Sequence, residues 1–219
     1  MMKTTEKILR HSNTVRIIHW SVAISGMLLL FSGIGQMPMY KRYNVVLLPG
    51  LYWVSDYNIT LVIHLIAGAV FGAAILYHIV YHLMQKEFSA MPRSGDVSES
   101  IIIIKAMLTG KEEPPHGKFL AEQRLAYAAM GLTSLVLLLT GLIKVYKNTG
   151  IVILQPEFMT ATTLIHTIAT PIFLFLFVAH LGAFVIKENW PLFPTMFSGY
   201  VNKKYADHRH PLWNYKEKK

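Results

Sequence analysis

Thr162-Thr163-Leu164-Ile165-His166-Thr167-Ile168-Ala169-Thr170-Pro171-Ile172-Phe173-Leu174-Phe175-Leu176-Phe177-Val178-Ala179-His180-Leu181-Gly182-Ala183-Phe184-Val185-Ile186 runs without one Asp, Glu, Lys or Arg. About 20 apolar residues are enough for a helix to cross the hydrocarbon core of a bilayer. This stretch is long enough, and its ring nitrogens are those of His166 and His180. An imidazole in hydrocarbon must satisfy two nitrogens, so each is a candidate functional group. Fourteen residues separate the two. That is about 21 Å along a helix, and 14 steps of 100° fall about 40° short of four turns, so both rings share one face.

Three further stretches have the same character. Spans are predicted at about 17–37, 59–84, 125–146 and 162–186. The first, second and fourth carry no charged side chain, and the third carries only Lys144 near its end, where a lysine snorkels to the interface. Of the 219 residues, 53% are hydrophobic and 15% charged, against about a quarter charged in soluble domains. The expected fold is therefore an all-α membrane protein, a four-transmembrane-helix bundle in one domain. The loop between the second and third spans is expected to hold a short amphipathic helix, Ser98–Leu108, with Ser98 as N-cap and Gly110 as stop. A turn is expected at Glu112–His116, and Pro171 is expected to kink the fourth span.

Orientation follows from the basic residues. Seventeen Lys and Arg flank the spans on the side of the two termini, against four (Lys41, Arg42, Lys144, Lys147) on the other. The positive-inside rule places both termini in the cytoplasm. The net charge of +9 is assigned to these flanks and not to nucleic acid. No cleavable signal peptide is read in Met1–Arg16. The absence of cysteine excludes thiolate-held clusters, covalently attached haem and disulfides.

Histidine is left as the main metal ligand. His64 enters the second span at the depth of His166, so the two pair near the outer surface. His180 needs an inner partner. His19, near the start of the first span, matches its depth, and His78, 14 residues after His64, competes for the place. Two bis-histidine pairs at two depths suit two haems built for electron transfer. Gly26, Gly33, Gly68, Gly72, Gly131, Gly141 and Gly182 make room either for a flat macrocycle or for ordinary helix packing.

Several runs resemble a known family. Arg16-Ile17-Ile18-His19-Trp20 followed by Ser32-Gly33 resembles the opening of bacterial membrane cytochromes b that serve formate dehydrogenases and nickel–iron hydrogenases. Gly117-Lys118-Phe119-Leu120-Ala121-Glu122-Gln123-Arg124, Leu139-Thr140-Gly141, Leu164-Ile165-His166 and the tail His208-Arg209-His210-Pro211-Leu212-Trp213 resemble the cytochrome b subunits of respiratory formate dehydrogenase in particular. The resemblance spans nearly the whole chain.

It implies a diheme membrane subunit of the bacterial inner membrane. Electrons would come from an iron–sulfur subunit, fed by a molybdenum or tungsten catalytic subunit that oxidises formate. They would pass through two b haems to menaquinone or ubiquinone near the cytoplasmic face. The resemblance implies His64 and His166 at the outer haem and His19 and His180 at the inner one, with His78 unmatched in the family. It points to Lys118 and Gln123 beside the quinone. Leu120 stands where the family has Asn and offers no donor, so Gln123, Lys118 or His116 would take that role. It further implies a trimer of heterotrimers in membrane lipid. Two alternatives remain at this point: the cytochrome b of a membrane-bound hydrogenase, and a haem-free anchor or metal or proton transporter. The lack of intramembrane carboxylates argues against transport.

Overall fold

The computed structural model describes residues 6–215. Its elements in chain order are strand β1 (Lys7–Leu9), helices α1 (Asn13–Gln36), α2 (Met39–Arg42), α3 (Tyr57–Gln85), α4 (Asp96–Thr109), α5 (Ala121–Asn148), α6 (Pro156–Gly182) and α7 (Thr195–Ser198), strand β2 (Tyr200–Asn202) and helix α8 (Lys203–Arg209). Four of the helices, α1, α3, α5 and α6, are long and apolar enough to cross a membrane. Within the apolar window of each, no more than 33% of the residues are buried inside the chain. So much exposed apolar surface would be untenable in water and requires lipid or protein around it.

Local chemistry sets where these helices begin and end. Ser12 Oγ accepts the Val15 N–H at 3.3 Å and caps α1. Asp56 Oδ1 accepts the Asn58 and Ile59 N–H groups at 2.9 and 3.1 Å and caps α3. Pro156 opens α6, where its fixed φ suits the first helical position and its missing N–H costs nothing. That start lies ahead of the Thr162 expected from hydropathy. Pro171 lies inside α6, so the usual bond from residue 171 to the residue 167 carbonyl is absent.

The loop helix α4 exists, but Ser98 is not its cap. Gly95, at φ +91°, holds the cap position. Ser98 lies inside the helix and donates from Oγ to the Gly95 carbonyl at 2.8 Å. Gly110 ends the helix in the left-handed conformation, as a stop residue should. Glu112–His116 holds no regular structure. One short sheet accompanies the helices. Lys7–Leu9 and Tyr200–Asn202 pair as an antiparallel two-stranded sheet, with Ile8 opposite Val201. The two described ends of the chain are thereby tied together.

The chain forms two compact units. One contains Ile17–Leu83 and Val136–Thr170. In it Ile18, Val54, Ala67 and Phe71 are buried with Ser32 and Thr60. Gly35 lies where a Cβ would meet the Val54 carbonyl oxygen at 2.5 Å and Thr60 Cγ2 at 2.6 Å. The other unit contains Met1–Arg16, Met84–Leu135 and Pro171–Lys219. Its apolar core of Ile103, Leu120 and Ala121, with Met107 against it, is surrounded by buried charge.

Candidate functional site

The rings of His64, on α3, and His166, on α6, lie in the first of these units with their centroids 6.4 Å apart. Each ring is held by a hydroxyl from another helix. His64 Nδ1 is 2.9 Å from Ser32 Oγ of α1. His166 Nδ1 is 2.8 Å from Thr140 Oγ1 of α5. Both hydroxyls already donate within their own helices, Ser32 to the Leu28 carbonyl at 2.6 Å and Thr140 to the Val136 carbonyl at 2.7 Å. An oxygen whose proton is committed can only accept from a second partner. With both hydroxyl protons on those carbonyls, each histidine carries its proton on Nδ1 and presents the lone pair of Nε2.

Glycines follow both hydroxyls in sequence. A Cβ at Gly33 would sit 3.4 Å from His64 Cε1, and one at Gly141 would sit 3.6 Å from His166 Cε1. Cε1 is the ring atom between the two nitrogens. The same two-residue device, a hydroxyl then a glycine, thus meets each ring along the edge that leads to Nε2. Thr170 Oγ1 donates to the His166 carbonyl at 2.9 Å and further ties down that turn of α6.

The spacing fits a metal bound between the two rings. Metal–imidazole bonds run about 2.0 Å, and a ring centroid lies about 1.2 Å behind its nitrogen, so two rings bound end-on and in line have centroids about 6.4 Å apart. Among the described residues no three His, Cys, Asp or Glu gather as a metal site. Two neutral imidazole nitrogens would suit an ion whose remaining ligands come from a macrocycle.

The other expected residues are placed as follows. His19 lies on α1 edge-on to Trp20, at 5.4 Å. His78 packs on His82 one turn along α3, at 4.4 Å. His180, near the end of α6, meets the edge of Phe184 at 6.3 Å. Gln123 Oε1 accepts the Leu120 N–H at 3.3 Å, so its carbonyl serves the start of α5. Lys118 Nζ lies over the Phe119 ring at 5.4 Å. Leu120 is fully buried in the apolar core.

Around that core lies a polar cluster that the sequence did not announce. Arg124 donates through Nε and Nη2 to Asp96, at 2.8 and 2.5 Å, and through Nη1 to the Phe119 carbonyl at 2.7 Å. Its guanidinium holds the Asp96 carboxyl below its ordinary value. Arg209 grips both oxygens of Glu113, at 3.1 and 3.2 Å, and reaches Asn189 Oδ1 at 2.7 Å. The buried His116 ring faces Glu99 with Nδ1 at 3.7 Å and Glu113 with Nε2 at 3.4 Å. Burial lowers its pKa, against the pull of the two carboxylates. His210 Nδ1 donates to the Gly117 carbonyl at 2.7 Å, and burial with Arg10 nearby pushes the ring down to about 3. Arg10 itself lies between the Phe119 and Trp213 rings, at 5.5 and 5.3 Å, and donates to the Lys118 carbonyl at 2.6 Å. The tail motif and the 117–124 motif, far apart in sequence, are thus one packed structure.

Comparison with known proteins adds two findings. The family described as prokaryotic cytochrome b561 matches residues 10–199. The chain is also 25% identical, over 215 residues, to the cytochrome b556(Fdn) subunit of nitrate-inducible formate dehydrogenase of Escherichia coli K12, an alignment covering 97% of this chain and 92% of that one. The subunits of the same description from Escherichia coli O157:H7 and Shigella flexneri match equally.

Proposed function

Because this chain belongs to the prokaryotic cytochrome b561 family, whose members are membrane cytochromes b, we propose that it is the electron-transfer subunit of a formate dehydrogenase complex and that His64 and His166 hold one of its b haems. The observation that carries the ligand assignment is the pair of rings 6.4 Å apart and inclined at 65°, each with a hydroxyl at Nδ1. A bis-histidine b haem cycles between ferric and ferrous iron by one electron. The protein's part is to supply two neutral nitrogens at fixed separation, with Ser32 and Thr140 holding the rings and Gly33 and Gly141 keeping their edges clear.

A second haem is assigned from the sequence spacing and the resemblance, with His19 and His180 as ligands and His78 as the competitor. The same resemblance supports an iron–sulfur partner that delivers electrons and a molybdenum or tungsten partner that oxidises formate. Menaquinone or ubiquinone would accept the electrons near the cytoplasmic face, with both termini on that side. Lys118 and Gln123 remain the proposed quinone neighbours. The similarity to a formate dehydrogenase cytochrome subunit favours formate dehydrogenase over hydrogenase as the parent complex.

The test is haem content and co-purification. The purified protein should carry about two b haems per chain, and His64→Ala and His166→Ala should each lose the same one. A protein without b haem, or variants that each retain both, would refute the reading. Capture of the intact complex identifies the catalytic partner, and a hydrogenase there would reassign the parent enzyme.

A further inference from the structure

We propose that Ser32 and Thr140 set the reduction potential of the iron held between His64 and His166. The proposal rests on the ligand assignment just given. Both hydroxyls make the ordinary bond of a membrane-helix serine or threonine, to the carbonyl four residues back. Ser25, Thr60, Thr133 and Thr162 make that bond too, to Ser21, Asp56, Ala129 and Phe158. It therefore does not distinguish Ser32 and Thr140. Their second bond does, because each also meets a histidine Nδ1 within 2.9 Å.

The second bond reaches the iron through the ring. A hydrogen bond accepted from Nδ1–H draws that proton away, leaves more electron density on Nε2 and strengthens it as a ligand. A stronger imidazole donor favours ferric over ferrous iron and lowers the potential. The acceptor here is a neutral oxygen, polarised because its own proton is donated to a carbonyl. It is weaker than a carboxylate and cannot take the proton, so each ligand stays a neutral imidazole through the redox cycle. The device is the same on both rings, so its two effects add. Both hydroxyls are buried, Ser32 at 0% exposure and Thr140 at 7%.

The experiment is a potentiometric titration of the whole purified protein, followed by the reduced b-haem absorbance, with the low-temperature electron spin resonance of the ferric form. Thr140→Val keeps the shape and removes the oxygen. Thr140→Ser keeps the oxygen, and Ser32→Ala tests the other ring independently. The proposal expects Thr140→Val and Ser32→Ala each to shift the ferric–ferrous equilibrium of one haem toward ferrous by about two- to tenfold, the upper figure being about 59 mV for one electron. It expects Thr140→Ser to titrate with the wild type and the second haem to stay where it was.

The proposal is overturned if the haem wave is unmoved in Thr140→Val and Ser32→Ala, or if both haems move equally. If Thr140→Val holds no haem, Ser32→Ala decides by the same criterion. Failure of the ligand assignment looks different: His166→Ala would then keep both haems and an unchanged spectrum.

Discussion

Removing the Asp96 carboxylate tests what holds α4 to the start of α5. The side chain is 2% exposed and that of its partner Arg124 is 7% exposed. Asp96 accepts three N–H groups: Nε and Nη2 of Arg124 and the backbone N–H of Arg93 at 2.8 Å. In Asp96→Ala the guanidinium stays buried without its counter-charge, which costs about 3–5 kcal/mol when one partner of a buried pair is removed. Arg124 keeps the Phe119 carbonyl and, at 3.4 Å, Glu99, which places the expectation at the lower end, about 3 kcal/mol. Arg124→Ala strands the carboxylate and should cost a similar amount. The double variant leaves no stranded charge and should cost less than the sum of the singles by about 2 kcal/mol. Equilibrium denaturation in mild detergent, followed by circular dichroism, measures all four proteins. The pH dependence gives a second check. Arg124 lowers the folded-state pKa of Asp96, so the contribution is fully present above about pH 4, the ordinary carboxylate value, and is lost as pH falls through the lower folded value. Strict additivity of the two single variants, or an Asp96→Ala cost under about 1 kcal/mol, would refute the reasoning.

Three further outcomes are expected. His210 is held neutral, at about 3, so the folded state resists its protonation. Its contribution is complete above about pH 6.5 and falls by about 1.4 kcal/mol per unit as pH drops toward 3. His210→Gln should flatten that part of a stability–pH curve, and an unchanged slope would count against it. Gly35→Ala should cost about 1–3 kcal/mol, because the new methyl would press on the Val54 carbonyl and Thr60; a melting temperature equal to the wild type's would contradict this. Leu120→Asn should cost about 2–5 kcal/mol through the cavity and the unmet amide. It should not improve quinone reduction, because position 120 points into the core with Ile103 and Ala121. A gain in quinone turnover would overturn that view of the loop.

The four long helices were legible because uninterrupted apolar runs of that length have few other solutions. Their ends were less so, because caps and not hydropathy set them. Pro156 starts α6 ahead of the apolar run, and Gly95 with Asp96 starts α4 ahead of Ser98. The β1–β2 pair joins segments at the two ends of the chain and is too short to show alternation. Of the site, equal depth led to His64 and His166 as a pair. Ser32-Gly33 and Thr140-Gly141 were visible as motifs, yet a hydroxyl in an apolar helix usually bonds its own backbone. Only the approach of a second helix shows that its remaining lone pair meets a ring. The cluster around Asp96, Glu113, His116, Arg124, Arg209 and His210 was hidden for the same reason, since its members come from three separate parts of the chain.

The composition of the two units has a consequence for how the protein is made. The unit that contains His64 and His166 closes at Thr170. By then a ribosome has supplied every residue it uses. The other unit draws on three separate segments, and its sheet pairs Lys7–Leu9 with Tyr200–Asn202. It can finish only after Asn202 has been made. A chain stalled or cut before Tyr200 would therefore contain His64 and His166 but lack the strand pairing with Lys7–Leu9. For a cell, the completed sheet is a sign that synthesis has passed Asn202.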